Sequence, residues 1–506
     1  MKKLLYHTFI FAALAIGFTS CDEDEDPDNG VTISGIPPTA NIAVGETLGP
    51  VTATATAPDG LAELVITKDG TAFLTVPLSG TTASAPFTYT ALPEDAGKSL
   101  VFEFRVTDVD GDFAVATHVL TVDAEETVIN VTENITADVT WETGKVYILQ
   151  GRISVEAGST LTIQPGVIVK GSAGSGANAS SLIIARGATI NAVGEANNPI
   201  IFTSFADQIQ PGEIVSPNLT PDINGLWGGV IILGNATCSL GGDVTETQIE
   251  GIPPSDTNGL YGGNDDDDNS GMFKYVSIRH GGANIGEGNE INGLTLGGVG
   301  RLTEIEFVEV VGNQDDGIEW FGGTVDVDNA VVWNAGDDAL DTDQAWAGTL
   351  RNFAVIAGSE TDHALEIDGP EGSYLAGHTL VNGTVKGDGS NTELGDFRDG
   401  ARGSFEGIYF FNFPSPNELD DDMEKIGRGD FSLSGDESQD NFANGDLMFA
   451  ILETTLPTSV ATTLAEVFKN GTDVHAADVT TPLSGADVSV FAGWSWASAA
   501  GELDDF

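Results

Sequence analysis

Two rhythms of apolar and polar positions divide the chain. From Val31 to Asp123 apolar residues alternate with polar ones in short runs. Examples are Leu64-Val65-Ile66-Thr67, Phe73-Leu74-Thr75-Val76, Val101 to Val106 and His118 to Val122. Turn signals separate them at Pro58-Asp59-Gly60, Asp69-Gly70 and Asp110-Gly111. About seven strands in roughly 90 residues predict an immunoglobulin-like β-sandwich over residues 31–124.

After Val128 the strands become very short. Val146–Leu149, Ile153–Val155, Leu161–Ile163, Val167–Val169, Leu182–Ile184 and Ile200–Phe202 are separated by Gly, Pro and Asn, with no helical stretch between them. A βαβ fold needs crossover helices, so stacked coils remain: a right-handed parallel β-helix over residues 128–413. Internal repeats agree. Asp316-Gly317-Ile318-Glu319-Trp320 aligns with Asp338-Ala339-Leu340-Asp341-Thr342 and with His363-Ala364-Leu365-Glu366-Ile367, at spacings of 22 and 25. Asn292-Gly293-Leu294-Thr295-Leu296 is an earlier copy, 24 residues before the first. A second family, Phe307–Val310, Ala330–Trp333 and Phe353–Ile356, recurs every 23 residues. One shared coil length in two strand families indicates a solenoid. Residues 414–506 lose the repeat, and Pro457–Asn470 has helix-compatible spacing; this region is expected to cap the open end.

The first residues carry a different signal. Lys2 and Lys3 precede an apolar stretch from Leu4 to Phe18, too short to span a membrane comfortably, and small residues lead to Cys21. This resembles a bacterial lipoprotein signal peptide (residues 1–20), which implies lipidation of Cys21 and a lipid anchor in the outer membrane. Residues 21–30 then form an acidic tether. Asp22-Glu23-Asp24-Glu25-Asp26 is either a solvated spacer or similar to the acidic tag of surface-exposed lipoproteins in the Bacteroidetes group.

Several phrases carry a further resemblance: Leu161 to Gly171 (LTIQPGVIVKG), Gly225 to Gly234 (GLWGGVIILG), Asp268 to Val276, Asn289 to Leu296, Asp315 to Gly323 (DDGIEWFGG) and Asp337 to Asp343. Together they resemble secreted or lipid-anchored parallel β-helix proteins of Gram-negative bacteria, within the pectate-lyase-like superfamily. The resemblance covers residues 128–506 and implies the fold, without a transferable activity. It also implies work beside a TonB-dependent outer-membrane transporter.

Composition narrows the partners. The 506 residues hold 19 Lys+Arg against 77 Asp+Glu, a net charge of −58. That excludes nucleic acid, whose binding needs Lys and Arg to displace counterions. A hydrophobic share of 41% and a mean hydropathy of +0.01 show that the chain buries a core in spite of its charge. Two cysteines, Cys21 and Cys238, exclude a disulfide framework and a thiolate zinc site.

The repeats also align acids. Ile318, Trp320, Leu340, Leu365 and Ile367 should face inward, so Glu319, Asp341 and Glu366 face outward, one per coil. Asp343 and Asp368 extend that face, and Asp315, Asp316, Asp337, Asp338 and Asp362 sit at the preceding corner. Two carboxylates ~5 Å apart repel by ~0.8 kcal/mol in water and several times that in a drier groove. A hard cation such as Ca²⁺ would relieve this, with Asp316, Glu319, Asp338, Asp341, Asp343, Glu366 and Asp368 as ligands. Retained protons would give an acid–base pair among Glu319, Asp341 and Glu366. Arg398, Arg402 or Arg351 would neutralise the strip, or exposure and salt would screen it.

Other candidates have milder readings beside the sharp ones. Asp108–Asp112 is a hairpin turn or a calcium loop, and Asp265–Asp268 an acidic loop or an ion site. His280 is a hydrogen-bonded histidine or a hydrolase base, and Cys238 a small buried residue. Trp227, Trp320, Phe321, Trp333 and Trp346 are core or sugar-stacking residues, with Trp320 inward and Trp346 open.

Three functions follow. The leading one is a non-enzymatic surface lipoprotein presenting a β-helical face to a cation, a nutrient ligand such as a glycan, or a partner protein. The second is a calcium-dependent polysaccharide lyase with Arg398 or Arg402 as base, or a two-carboxylate glycoside hydrolase. The third is adhesion or matrix structure.

Overall fold

A computed structural model describes residues 30–124, 126–174, 176–284, 291–419 and 427–506. Cys21 and the acidic run Asp22–Asp26 lie outside the described residues.

The first unit is the expected sandwich. Among its described residues, Thr32–Ser34, Thr47–Thr56 and Thr82–Thr90 form one sheet. Thr39–Ile42, Leu61–Lys68, Thr71–Pro77, Ser99–Asp108 and Phe113–Val122 form the other. Alternation decides which face is buried. Leu100, Phe102, Phe104 and Val106 point inward from one strand and pack with Phe87 and Tyr89 of the facing sheet. Asp108 Oδ1 accepts backbone N–H groups of Asp110, Gly111 and Asp112 at 3.0, 2.8 and 2.9 Å. This acid closes a hairpin turn.

The second unit, from Thr127, is a right-handed parallel β-helix. Its described strands form one sheet of fifteen and one of nine, with every pairing in these two parallel, and a separate antiparallel pair, Thr247–Gln248 with Leu260–Tyr261. The first repeat family falls in register: Leu294 pairs with Ile318, Ile318 with Leu340, and Leu340 with Leu365. Ile318, Trp320, Leu340, Leu365 and Ile367 all enter the continuous core inside the coils.

Three expectations change. In the long sheet Val308, not Phe307, lies opposite Ala330, while Ala330 pairs with Phe353 as expected. Phe307 has φ +56°, so it leaves the ladder at a corner where the chain bends. Tyr275, Asn329, Asn352 and Asn382 occupy the same corner of neighbouring coils with φ between +51° and +63°. Asparagine tolerates that left-handed conformation, and Asn352 Nδ2 donates to Asn329 Oδ1 at 2.8 Å.

Next, the coils continue beyond residue 413. Phe431–Leu433 extends the nine-stranded sheet, and Leu447–Thr454 and Ala476–Asp478 extend the long one. The sequence hides this because a helix, Asp436–Asn444, and longer turns interrupt the coil length. The helix expected over Pro457–Asn470 is four residues, Leu464–Val467. Phe468, just after it, covers the end of the core against Phe431, with ring centroids 5.4 Å apart.

Finally, the last residues do not cap the end. Val488–Phe491 and Trp496–Ala500 fold back along the outside of the long sheet, where Phe491, Trp494, Trp496 and Leu503 bury Val311, Val331, Trp333, Ala354 and Ile356.

Candidate functional site

Strands Leu294–Gly297, Ile318–Phe321, Leu340–Asp343, Leu365–Ile367 and Gly395–Phe397 stack in register on the nine-stranded sheet. Their outward row therefore reads Thr295, Glu319, Asp341, Glu366 and Asp396. Neighbouring strands stand ~4.8 Å apart, which makes this row a carboxylate ladder. It is not exposed. Glu319, Asp341 and Glu366 are only 6, 8 and 7% exposed, so salt does not screen them.

A long excursion after the strand Val230–Leu233 supplies the cover. Cys238, Leu240, Ile249, Ile252 and Tyr261 pack with Ile183, Ile231 and Phe321 on the outer face of the same sheet. Tyr261 donates to Gln344 Oε1 at 2.8 Å, and Gln344 Nε2 donates to Glu371 at 3.2 Å. Beside them is a cavity of about 350 Å³ whose walls include Glu250, Tyr261, Phe321, Gln344 and Glu371.

The ladder has two chemically different parts. In the upper part, oxygens of Asp316, Glu319 and Asp341 lie within 4.8 Å of one another. Asp316 Oδ1 accepts the N–H of Asp338 at 2.9 Å, and Asn292 Nδ2 donates to Glu319. Burial first, and then the charges of neighbouring carboxylates, push Asp316, Glu319 and Asp341 well above the usual carboxylate range.

In the lower part Asp338, His363 and Glu366 converge to the same limit of 4.8 Å. His363 Nδ1 meets Asp338 Oδ1 at 2.8 Å, and its Nε2 lies 3.5 Å from Glu393. Arg398 pairs with Glu366 and, at 2.7 Å, with Asp368; Arg428 pairs with Asp362 and, at 2.6 Å, with Glu393. Burial opposes the charge on His363, but its bonds to Asp338 and Glu393 outweigh that and push it up to about 11. Burial likewise opposes the charge on Asp338, yet bonds from His363 and Glu366 hold it below the ordinary value. Burial, the bond to Asp338 and that residue's charge push Glu366 up to about 10.

The seven acids expected to hold a cation thus divide. Asp316, Glu319 and Asp341 gather in one group and Asp338 and Glu366 in the other, while Asp343 and Asp368 flank them. Burial and the charge of Glu371 push Asp343 up to about 7. Asp368 is raised by burial in spite of Arg398.

Of the three arginines considered, Arg398 alone reaches this strip. Arg351 bonds Asp326 and Asp328, and Arg402 bonds Asp446 and Asn441. Arg301 pairs with Asp266 and Asp267, and Asn235 donates to Asp268, so the acidic loop is tied down side chain by side chain. His280 is buried and its Nδ1 meets the carbonyl of Ile223 at 2.6 Å. Cys238 is a buried thiol that burial pushes up to about 12. Trp346, expected in the open, is fully buried: it stacks on Trp320 with centroids 4.7 Å apart and donates to the carbonyl of Val325 at 2.9 Å.

Sequence reasoning passed over Asn292, His363, Glu393 and Arg428. The signal for His363 was in the repeat itself, where it stands in the column of Asp316 and Asp338. A basic residue in an acidic column marks a change of chemistry.

A protein family described as a pectate-lyase like beta helix domain matches residues 133–495. That span is most of the chain and contains the whole ladder. The chain belongs to the pectate-lyase-like β-helix domain family. Among solved structures it matches pectate lyase Pel3 from Pectobacterium carotovorum, with 9% identity over 72% of this chain and 82% of that one, and a TM-score of 0.16. It also matches the full-length tailspike protein 2 of the Escherichia coli bacteriophage CAB120, with 10% identity over 72% of this chain and 43% of that one, and a TM-score of 0.22. Neither likeness carries an activity to this chain. No curated protein matches it. Membership in the pectate-lyase-like β-helix family therefore fixes the fold, and the chemistry is argued from the ladder.

Proposed function

We propose that the protein is a non-enzymatic lipoprotein of the outer membrane that presents its β-helix at the cell surface as a binding face, with a hard cation such as Ca²⁺ held in the carboxylate ladder. One observation carries this reading: Asp316, Glu319 and Asp341 are buried together, and none of them forms an ion pair with a described basic residue. Repulsion at that spacing favours a bound cation. The position of the ladder also favours binding over catalysis. The Cys238–Tyr261 excursion packs over the same sheet, and Arg398 is committed to Glu366 and Asp368 instead of being free as a base. The anchor at Cys21 and a transporter partner belong to the same proposal.

Thermal melts of the intact protein in chelator and in calcium test the cation. Binding to the native state adds RT ln(1 + [L]/Kd), about 2.7 kcal/mol at a hundredfold excess over Kd. An unchanged melting temperature removes the cation from the proposal. A broad panel of acidic and neutral glycans tests catalysis, and new reducing ends or unsaturated products replace binding with an enzyme. Loss of membrane retention in Cys21→Ser supports the anchor, and full retention refutes it. Pull-down from outer membranes should recover a transporter; recovery of no membrane protein refutes that partnership.

A further inference from the structure

We infer that the ladder is partitioned: one divalent hard cation binds in its upper part, among Asp316, Glu319, Asp341 and the amide of Asn292, while His363, Arg398 and Arg428 take the place of an ion in the lower part. This rests on the cation reading above and assigns it to four side chains.

The lower part has its counter-charges built in. Asp338 faces His363, Glu366 and Asp368 share Arg398, and Asp362 and Glu393 share Arg428. Both ring nitrogens of His363 face carboxylates, which leaves neither as a lone pair for a transition metal.

The upper part differs in a second, independent respect. Two buried acceptors have no hydrogen-bond partner: Asp341 Oδ1 and Asn292 Oδ1. Asp341 is 8% exposed and Asn292 only 2%. An orphaned buried acceptor costs ~1–3 kcal/mol, more when charged, so each calls for a donor or a cation. Asn292 already touches Glu319 through the other end of its amide. Turning that amide over brings its oxygen to the acids. Three carboxylates and one amide then supply four or more of the ~6–8 oxygens that Ca²⁺ takes. The set is oxygen only, which selects a hard ion over zinc or copper. Glu250, a wall of the adjacent cavity, lies near enough to act on Glu319, which puts that cavity beside the site.

The test uses the full chain, stripped with chelator. Ca²⁺ is titrated by calorimetry, and Tb³⁺ by luminescence excited through tryptophan, since Trp320 adjoins Glu319. One equivalent is expected. Asp341→Asn should weaken binding at least about tenfold. Because that change removes an acid whose ionisation its buried neighbours oppose, metal-free Asp341→Asn should melt no lower than metal-free wild type, which distinguishes a lost site from a misfolded variant. His363→Gln and Glu366→Gln should each retain one equivalent. Wild-type affinity in Asp341→Asn, or loss of the ion in Glu366→Gln alone, overturns the partition and leaves the cation reading standing. A second equivalent that His363→Gln removes also overturns it. No binding of either ion by wild type overturns the cation reading itself.

Discussion

Asp338 receives two hydrogen bonds from His363 on a single oxygen: the backbone N–H at 2.7 Å and Nδ1 at 2.8 Å both reach Oδ1. The pair ties one coil to the next and holds the imidazole charged. His363 is pushed up to about 11 in the fold, against ~6.5 for a free histidine. A raised folded value means that the proton favours the native state. Its stabilisation is full below about pH 6.5 and is lost as pH rises through about 11. His363→Gln should therefore cost ~3–5 kcal/mol near neutral pH, because it takes the counter-charge from the buried Asp338 carboxylate and leaves it the backbone N–H. Denaturation of both proteins along a pH series should show that cost shrinking toward alkaline pH. A cost independent of pH refutes the charged pair.

Asp343 and Glu366 act in the same direction. Their folded values, about 7 and about 10, exceed those of free carboxyls, so protons again favour the native state. Their contribution is present below about pH 4 and is lost as pH rises through those values. In chelator the protein should melt higher at about pH 5.5 than at about pH 8. Asp343→Asn should flatten the part of that slope around neutrality, and a slope equal to wild type refutes the assignment to Asp343.

The facing of the ladder was legible because alternation fixes it: once Ile318, Leu340 and Leu365 go inward, Glu319, Asp341 and Glu366 must go outward. Their burial was not legible. The cover comes from residues between Cys238 and Tyr261, distant in sequence and without periodicity. Trp346 was left in the open for a different reason: it follows two left-handed residues, Gln344 and Ala345, in a turn, yet lies in the interior of the coils on Trp320. The second register slipped by one because coil length is not constant: Val308 to Ala330 is 22 residues and Ala330 to Phe353 is 23, so a fixed spacing of 23 put the corner residue Phe307 where Val308 belongs. The coils beyond residue 413 escaped because a helix inserted in them changes the spacing but not the pairing.

That corner makes its own prediction. Asn352, at φ +58°, donates to Asn329 at 2.8 Å. Asn352 also accepts the N–H of Asp487 at 2.6 Å and donates to its carbonyl at 3.3 Å, so Asn352→Ala loses all these bonds, at ~1 kcal/mol each, and leaves a β-carbon in the left-handed region, at ~1–2 kcal/mol. Asn352→Gly loses the same bonds without the conformational cost. Chemical denaturation should rank the three proteins as wild type, then Gly, then Ala. Alanine equal to glycine refutes the conformational share.

The returning tail is held by an acid of the sheet it covers. Glu309, fully buried, accepts the N–H groups of Trp496 and Ala497 at 3.0 and 2.8 Å, and Arg279 lies 4.9 Å from the Trp496 ring. Trp496→Ala should cost ~3–5 kcal/mol, as other buried tryptophans do. Glu309→Gln should cost at least as much, because it loses one of those N–H bonds and also removes the charge facing Arg279, which is fully buried 3.8 Å from Glu309. Removing residues 485–506 should uncover Val311, Val331, Trp333, Ala354 and Ile356 together, a strip that crosses several coils. Binding of a hydrophobic dye and early proteolytic cleavage should then appear in the truncated protein while its β-sheet circular dichroism persists, since the coils bury their own core. Loss of the β signal on truncation would instead mean that the solenoid requires its tail in order to fold.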